Sequence, residues 1–400
     1  MAPTRTLAIR PDDFDIDALL NELRLWVEME TPSSDAVAVN RLADRIETMS
    51  KDAGFEVERK PGTLGFGDIL AIRSSVRDGK SRGRVLILAH IDTVHATGTL
   101  AGKLPLRQDG DKLYGPGIYD MKSGVLMAFE AMKRVARDHP DIAVDLLIVS
   151  DEEVGSKSSR PVIEEFARTA NYVLVVEPAR DGGKIVTARK GVGMCDIVVR
   201  GRSAHAGVRP ADGRSAVRAA SRLVLALEAL NDPLRGITVT VGTIHGGTGR
   251  NTVPEECRLQ VDLRLPDSAT ADEILSKINA MTPDTPDIVF EIEAYLNRPP
   301  FAQSEQGRAL FDEAARIAQA LGLQLEGMAT GGGSDGNFTA ALGVSTLDGL
   351  GADGAGAHTF NEHILISSLA PRTALLANLL AALGSKDALG SDDAAAISVS

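Results

Sequence analysis

At several points in this sequence an apolar run stops at a residue type that can ligate a cation or carry a proton. "RVLILAH" ends on His90, and Asp92 follows two residues later. "GPGIYD" ends on Asp120, "LLIVS" leads into Asp151, Glu152 and Glu153, and "YVLVVE" ends on Glu177. One carboxylate at a strand end is an ordinary solvated cap, since Asp and Glu are mostly exposed. Several in one stretch of chain, together with an imidazole, point to convergence on one centre. Imidazole and carboxylate donors without thiolate suit zinc, manganese or cobalt. Two such cations about 3.5–4 Å apart share a bridging carboxylate and clamp a hydrolytic water. The adjacent Glu152 and Glu153 can divide the work, one ligating metal and the other taking the proton of that water. Asp92 lies two positions beyond His90, so strand periodicity points both side chains the same way, and it can orient the imidazole from behind.

Such residues need a scaffold that brings strand ends together. "DILAI", "RVLILAH", "IAVDLLIVS" and "YVLVVE" are rich in Val, Ile and Leu without alternation. That pattern suits strands covered on both faces in a mainly parallel sheet, whose carboxyl ends are where open α/β sheets place their sites. Helical patterns lie between them, for example over 121–138. Before them, Leu19, Leu20, Leu23, Trp26 and Val27 share one helical face, with Asp12 or Asp13 as its cap. A second helix carries Leu42, Ile46 and Met49 and closes at Gly54. From about residue 189 the order becomes strand, helix (213–230), strand, strand, helix (270–280), strand, the ferredoxin-like β-α-β-β-α-β pattern. After "NRPP" the helix–strand alternation resumes to about 385. The expected class is therefore α/β, a mainly parallel sheet flanked by helices, with an inserted ferredoxin-like α+β domain. The boundaries are 1–188 and 299–385 for the larger domain, 189–298 for the insert and 386–400 for a small, polar, flexible tail.

Composition narrows the function classes. The chain has 400 residues, 44% of them hydrophobic, and a formal net charge of −12. No Lys/Arg cluster stands out, which argues against a nucleic-acid partner. No apolar run of 18 residues and no apolar leader is found, so a soluble cytoplasmic protein without a membrane partner is expected. The two cysteines, Cys195 and Cys257, lack CxxC partners and read as reduced, half-buried thiols.

The motifs "HIDTV", "GPGIYDMKSG", "DEEVGS", "VVEP", "GRSAHAGVRPADGRSA", "RNTVPEECRLQVDLR", "GGGSDGNF" and "HTFNEH" occur in that order. Together they resemble the two-zinc aminoacylase and carboxypeptidase family, which includes acetylornithine and succinyl-diaminopimelate deacylases. Within it, "GTLAGKLPLRQDGDKLYGPGIYD" and "RPPF" are most similar to the glutamate carboxypeptidases of the carboxypeptidase G type. The likeness spans about residues 15–385. It implies a di-zinc exopeptidase-like catalytic domain in which His90 and Glu177 hold one metal, Glu153 and His358 the other, and Asp120 bridges them. Asp92 would support His90, and Glu152 would be the base. The insert would be a lid and homodimerisation domain. From it His205 would reach the partner's site to polarise the scissile carbonyl, with Asn251 assisting and Arg264 and Arg298 gripping the substrate carboxylate. The resemblance also implies a cis peptide at Asp120–Met121. "DMKSG" departs from the family, Ser123 standing where a second glycine is commoner.

The glycine-rich "GGTGRN" and "TGGGSDGN", the latter with Gly332, lack a GK[ST] ending and read as loops where backbone approaches a substrate or a metal ligand. Of the remaining histidines, His95 and His363 sit beside motif residues, while His139 and His245 read as loop residues. The expected activity is hydrolysis of the amide bond of a small N-acyl or N-aroyl amino acid, with glutamate the first guess for the released acid. The alternatives are another C–N bond, as in an aromatic aminohydrolase or a dipeptidase, and a non-catalytic binding dimer.

Overall fold

The computed structural model describes residues 9–75 and 84–385, so the expected flexible tail lies outside the described residues. The chain divides into two compact units, one of residues 1–187, 303–329 and 334–400 and the other of residues 188–302 and 330–333.

In the first unit six strands form one sheet in the spatial order Glu56–Lys60, Ile69–Arg73, Ala143–Val149, Arg84–His90, Tyr172–Val175, Ser345–Leu347. The last four run parallel. The first two are antiparallel additions, so the "DILAI" strand runs against its neighbour and the sheet is mixed. Period-two alternation splits the buried side chains between two cores. Val85, Ile87, Val144, Leu146 and Ile148 join the larger one, which the helices Ile16–Glu28, Ser123–Asp138 and Ile366–Gly384 also enter. Leu86, Leu88, Leu147, Val149 and Val173 join the other, covered by Ile163 and Phe166 of the helix Arg160–Ala167 and by Phe338. Burial on both faces is why these strands read as unbroken apolar runs. The parallel strands all present their carboxyl ends at one edge, which brings His90, Glu152, Glu153 and Glu177 to the same side.

Several helix limits differ from the sequence expectation because side-chain caps set them. Asp15 caps the first helix, accepting the Ala18 amide at 3.0 Å, while Asp13 is taken up by the Arg10 amide at 2.7 Å. Helix Ala216–Glu228 starts later than 213 because Ser215 caps it, and Asp267 caps Ser268–Asn279. Gly54, at φ +82°, follows the second helix in the left-handed conformation expected of it.

The helix Ile366–Gly384 is long and apolar enough to cross a membrane by composition, a segment the search for unbroken apolar runs passed over. In its most apolar window 61% is buried inside the unit. Its Arg372 donates to the carbonyls of Gly183 and Gly349 at 2.9 and 2.8 Å, the pattern of a core helix that stitches loops.

The second unit holds a four-stranded antiparallel sheet in the order Thr238–Gly246, Glu256–Leu265, Gly191–Arg200, Val289–Arg298. One face packs on the helices Ala216–Glu228 and Ser268–Asn279. The alternation of buried and accessible residues along Glu256–Leu265 is that of a sheet with a single core face. Cys195 and Cys257 both point into this core, each 1% exposed, so they are fully rather than half buried. Both are free thiols, and burial pushes Cys195 up to about 12.

Candidate metal centre

His90 is the last residue of its strand and is fixed from behind. Its Nδ1 lies 3.0 Å from the Asp92 carbonyl and 3.5 Å from the Asp92 carboxylate. That leaves Nε2 facing forward, 3.2 Å from Asp120 Oδ1 and 3.7 Å from Glu177. On the opposite side His358 Nε2 lies 3.5 Å from Asp120 Oδ2 and 3.0 Å from Glu153 Oε2. Asp120 therefore sits between two imidazoles, one facing each of its oxygens, and each imidazole has a second carboxylate of its own. Donor atoms of His90, Asp120 and Glu153 lie within 4.8 Å of one another, as do those of His90, Glu152 and Glu177. His358 occupies left-handed backbone at φ +63°, a conformation that collects at functional sites when the surroundings impose it.

The loops that carry these groups are packed against one another. The Asp120–Met121 peptide is cis, in an irregular turn before the helix Ser123–Asp138. A Cβ on Gly124 would stand 2.1 Å from the Val176 carbonyl, so only glycine lets this helix approach the Glu177 strand end. Ser123 beside it is buried, and its hydroxyl has no hydrogen-bond partner among the described residues.

The electrostatics are those of a site short of positive charge. Burial opposes a charged His90, yet the hydrogen bonds of Asp120 and Asp92 and the charge of Glu177 raise its affinity for a proton well above the ordinary value. His358 is pushed up to about 10 by Asp120 and Glu153. Asp120 is held ionised, well below the usual carboxylate range, because the two imidazoles outweigh its burial. Burial and the charge of Asp120 push Glu153 up to about 8. Protons thus stand where these clustered carboxylates call for cations. Glu153 Oε1 is also buried with no hydrogen-bond partner among the described residues. A vacant buried acceptor in a set of imidazole and carboxylate donors fits divalent metal ions.

Asp92 does more than the sequence reading assigned to it. Its carboxylate accepts the amides of Glu152 and Glu153, each at 3.2 Å, and the Ser33 hydroxyl at 2.6 Å. Asp92 therefore backs His90 with its carbonyl and, at longer range, its carboxylate, and the same carboxylate fixes the backbone of the Glu152–Glu153 pair. Asp151 takes no part in the cluster; its carboxylate accepts the Ser158 amide.

Glu362, in "HTFNEH", was missed. It is 1% exposed. Its carboxylate receives the amides of Gly117, Tyr119 and Asp120 at 3.1, 2.9 and 3.0 Å and lies 2.7 Å from His95 Nε2. It binds the His358 loop to the Asp120 loop. No spacing rule marks a carboxylate whose partners are backbone amides some 240 residues away, and that is why sequence reasoning passed it over. His95 is buried by this contact, and the His363 ring packs 4.9 Å from that of Tyr114.

The profile of Peptidase family M20/M25/M40 matches residues 86–382. The chain belongs to this family. It is a metal-dependent hydrolase of amide bonds, of the carboxypeptidase and deacylase kind. It is 32% identical to carboxypeptidase G2 of Pseudomonas sp. (strain RS-16), over 92% of this chain and 89% of that protein. It is 30% identical to a succinyl-diaminopimelate desuccinylase of Azoarcus sp. (strain BH72), over 87% of this chain and 93% of that one. The fold is also that of the M20 family metallo-carboxypeptidase Sso-CP2 from Sulfolobus solfataricus. There the TM-score is 0.70 at 17% identity, over 90% of this chain and 98% of the other.

The remaining expected site residues belong to the second unit. His205 is exposed, and its Nδ1 accepts the amides of Gly207 and Val208, both at 3.2 Å. Those two donors assign the ring proton to Nε2, which makes the outer edge of the ring a hydrogen-bond donor. Asn251 is its neighbour, its carbonyl accepting the Ala206 amide at 2.9 Å. Arg264 is held by both oxygens of Asp262, at 2.8 and 2.9 Å, and lies 3.4 Å from the Gly331 carbonyl. Arg298 is buried, bonded to Asn297. Gly332 accepts from Arg189, a buried cation that the sequence reading did not single out.

Proposed function

We propose that the cluster binds two divalent cations, zinc first and manganese or cobalt as alternatives, and that the protein hydrolyses N-acyl or N-aroyl amino acids, glutamate conjugates foremost. The observation that carries this reading is Asp120, with His90 at 3.2 Å on one oxygen and His358 at 3.5 Å on the other. His90 and Glu177 would hold one ion, Glu153 and His358 the other, and Asp120 would bridge. Bound there, the ions would supply an activated water and positive charge for the developing oxyanion. Glu152, whose carboxylate lies with the donors of His90 and Glu177, takes a proton from the attacking water. It then delivers that proton to the amine as the C–N bond breaks, leaving a carboxylic acid and a free amino acid. Asp92 holds Glu152 and His90 in register throughout. In the same reading, residues 1–188 and 299–385 form the catalytic domain.

The test is a release assay over N-acyl amino acids with metal-stripped enzyme, reloaded while bound metal is counted. Release should vanish on stripping and return in full at two ions per chain. Full activity at one ion per chain, or release that survives stripping, sinks the dinuclear reading.

We further propose that residues 189–298 form a lid through which the protein dimerises. His205 would donate its Nε2 hydrogen to the oxyanion in the partner's site, with Asn251 beside it. Arg264, Arg298 and the backbone at Gly332 would take the substrate's carboxylate. Mixing inactive His205→Ala subunits with inactive Glu152→Gln subunits gives heterodimers with one site holding both residues and one lacking both. Activity should return towards half the wild-type level per heterodimer. Confirmed subunit exchange without recovered activity would show that His205 does not act across an interface.

A further inference from the structure

A cavity of about 710 Å³ opens beside the metal cluster, walled by the loop after His90 and by His358 and Phe360. Ligand pockets span about 300–1,000 Å³, so this one exceeds what an acetyl group needs. His358 turns Nε2 to Asp120 and Glu153 while lining the cavity, so one end of anything seated there lies at the cluster. Two apolar side chains on the wall are open to solvent, Val94 at 44% and Phe360 at 49%. Lys103 completes the wall, its ammonium 4.8 Å from the Phe360 ring centroid. Among the described residues no carboxylate pairs with Lys103, although the chain carries 55 acidic residues against 43 basic ones. Glu362, on the same loop as Phe360, is engaged by His95 and three amides and leaves the lysine charge uncompensated.

The wall is built rather than loose. Glu30 accepts the amides of Gly98 and Leu100, both at 2.8 Å. Turn bonds from Thr99 to Ala96 and from Leu104 to Thr99, at 3.1 and 3.0 Å, close the loop on itself. A preformed wall keeps the ordering cost of binding small.

We propose that this cavity receives the acyl half of the substrate and selects acyl groups with an apolar, preferably planar, body ending in a negative charge. Phe360 packs against the body, and Lys103 pairs with the charge. The inference rests on the amide-hydrolase reading above and names the substrate class of that site. In a protein of net charge −12, the Lys103 ammonium on the cavity wall favours the approach of an anionic acyl group.

The test uses metal-loaded enzyme and four conjugates of one amino acid: acetyl, benzoyl, succinyl and 4-carboxybenzoyl. Wild type should show its highest kcat/KM with 4-carboxybenzoyl. Lys103→Met should lower the carboxybenzoyl-to-benzoyl ratio of kcat/KM about tenfold, and Lys103→Arg should restore it. Phe360→Ala should lower the benzoyl-to-acetyl ratio by a similar factor. Ratios unchanged within about twofold, or an arginine variant as impaired as the methionine one, overturn the assignment. If metal-loaded wild type releases nothing from any conjugate, the hydrolase reading itself fails. If it releases acetyl and succinyl groups but shows no gain from the aromatic body or the charge, only the pocket assignment fails.

Discussion

Asp120→Ala protein should purify without bound metal and without measurable amide hydrolysis, while keeping its secondary structure. In the proposed assignment each of the other ligands serves only one of the two positions. His90 and Glu177 stand on one side, His358 and Glu153 on the other, and Asp120 alone puts an oxygen towards both imidazoles. Removing it would delete a donor from each proposed position and the carboxylate that touches both imidazoles. A structural role limited to loop packing would give a different result, because Glu362 holds this loop through the backbone amides of Gly117, Tyr119 and Asp120 itself. Those bonds survive truncation of the side chain. Metal analysis of the purified variant beside its far-UV circular dichroism decides the matter. Two retained ions, or one ion with normal turnover, would remove Asp120 from the bridging position.

Glu152→Gln should keep its metal and lose about 10²-fold or more in kcat, the usual contribution of a positioned general base. The replacement has the same shape but no basic oxygen for the proton. It should not disturb its neighbour, because the amides of Glu152 and Glu153 are held by Asp92, at 3.2 Å each. The loss should fall on kcat and leave metal content alone, whereas damage to Glu153 or Asp92 should lower both. Turnover near that of wild type would reduce Glu152 to a structural part of the turn.

Much of the proposed site was legible because parallel strands are written as uninterrupted apolar runs, and their ends are where such a run meets His90, Glu152 or Glu177. Asp120 was marked by its place before a helix. His358 was different: it stands in an exposed loop just after the two-residue strand Gly354–Ala355, which no apolar run announces, and only the likeness of "HTFNEH" to a family motif pointed there. The first helix cap was misplaced by two or three residues because three aspartates compete within "PDDFD", and the choice depends on which backbone amide each can reach. The antiparallel direction of "DILAI" was hidden for a related reason. Burial on both faces erases the alternation that marks an antiparallel strand, whichever way the strand runs. Glu362 and the second duty of Asp92 were illegible because both act on backbone amides, which carry no residue identity.

The contacts of Glu362 have a consequence for how the enzyme matures during synthesis. His90, Asp120, Glu153 and Glu177 leave the ribosome long before residues 358 and 362 do. Until then the Asp120 loop lacks the carboxylate that gathers three of its amides, and one imidazole of the pair does not yet exist. A nascent chain therefore cannot assemble the complete cup, and an ion captured early would meet an incomplete set of the proposed donors. Once Glu362 docks, it gathers the amides of Gly117, Tyr119 and Asp120 and joins the Asp120 loop to the His358 loop. Under the proposed ligand set, metallation is a late step, timed by the loop of residues 358–362 rather than by the order in which the other ligands are made.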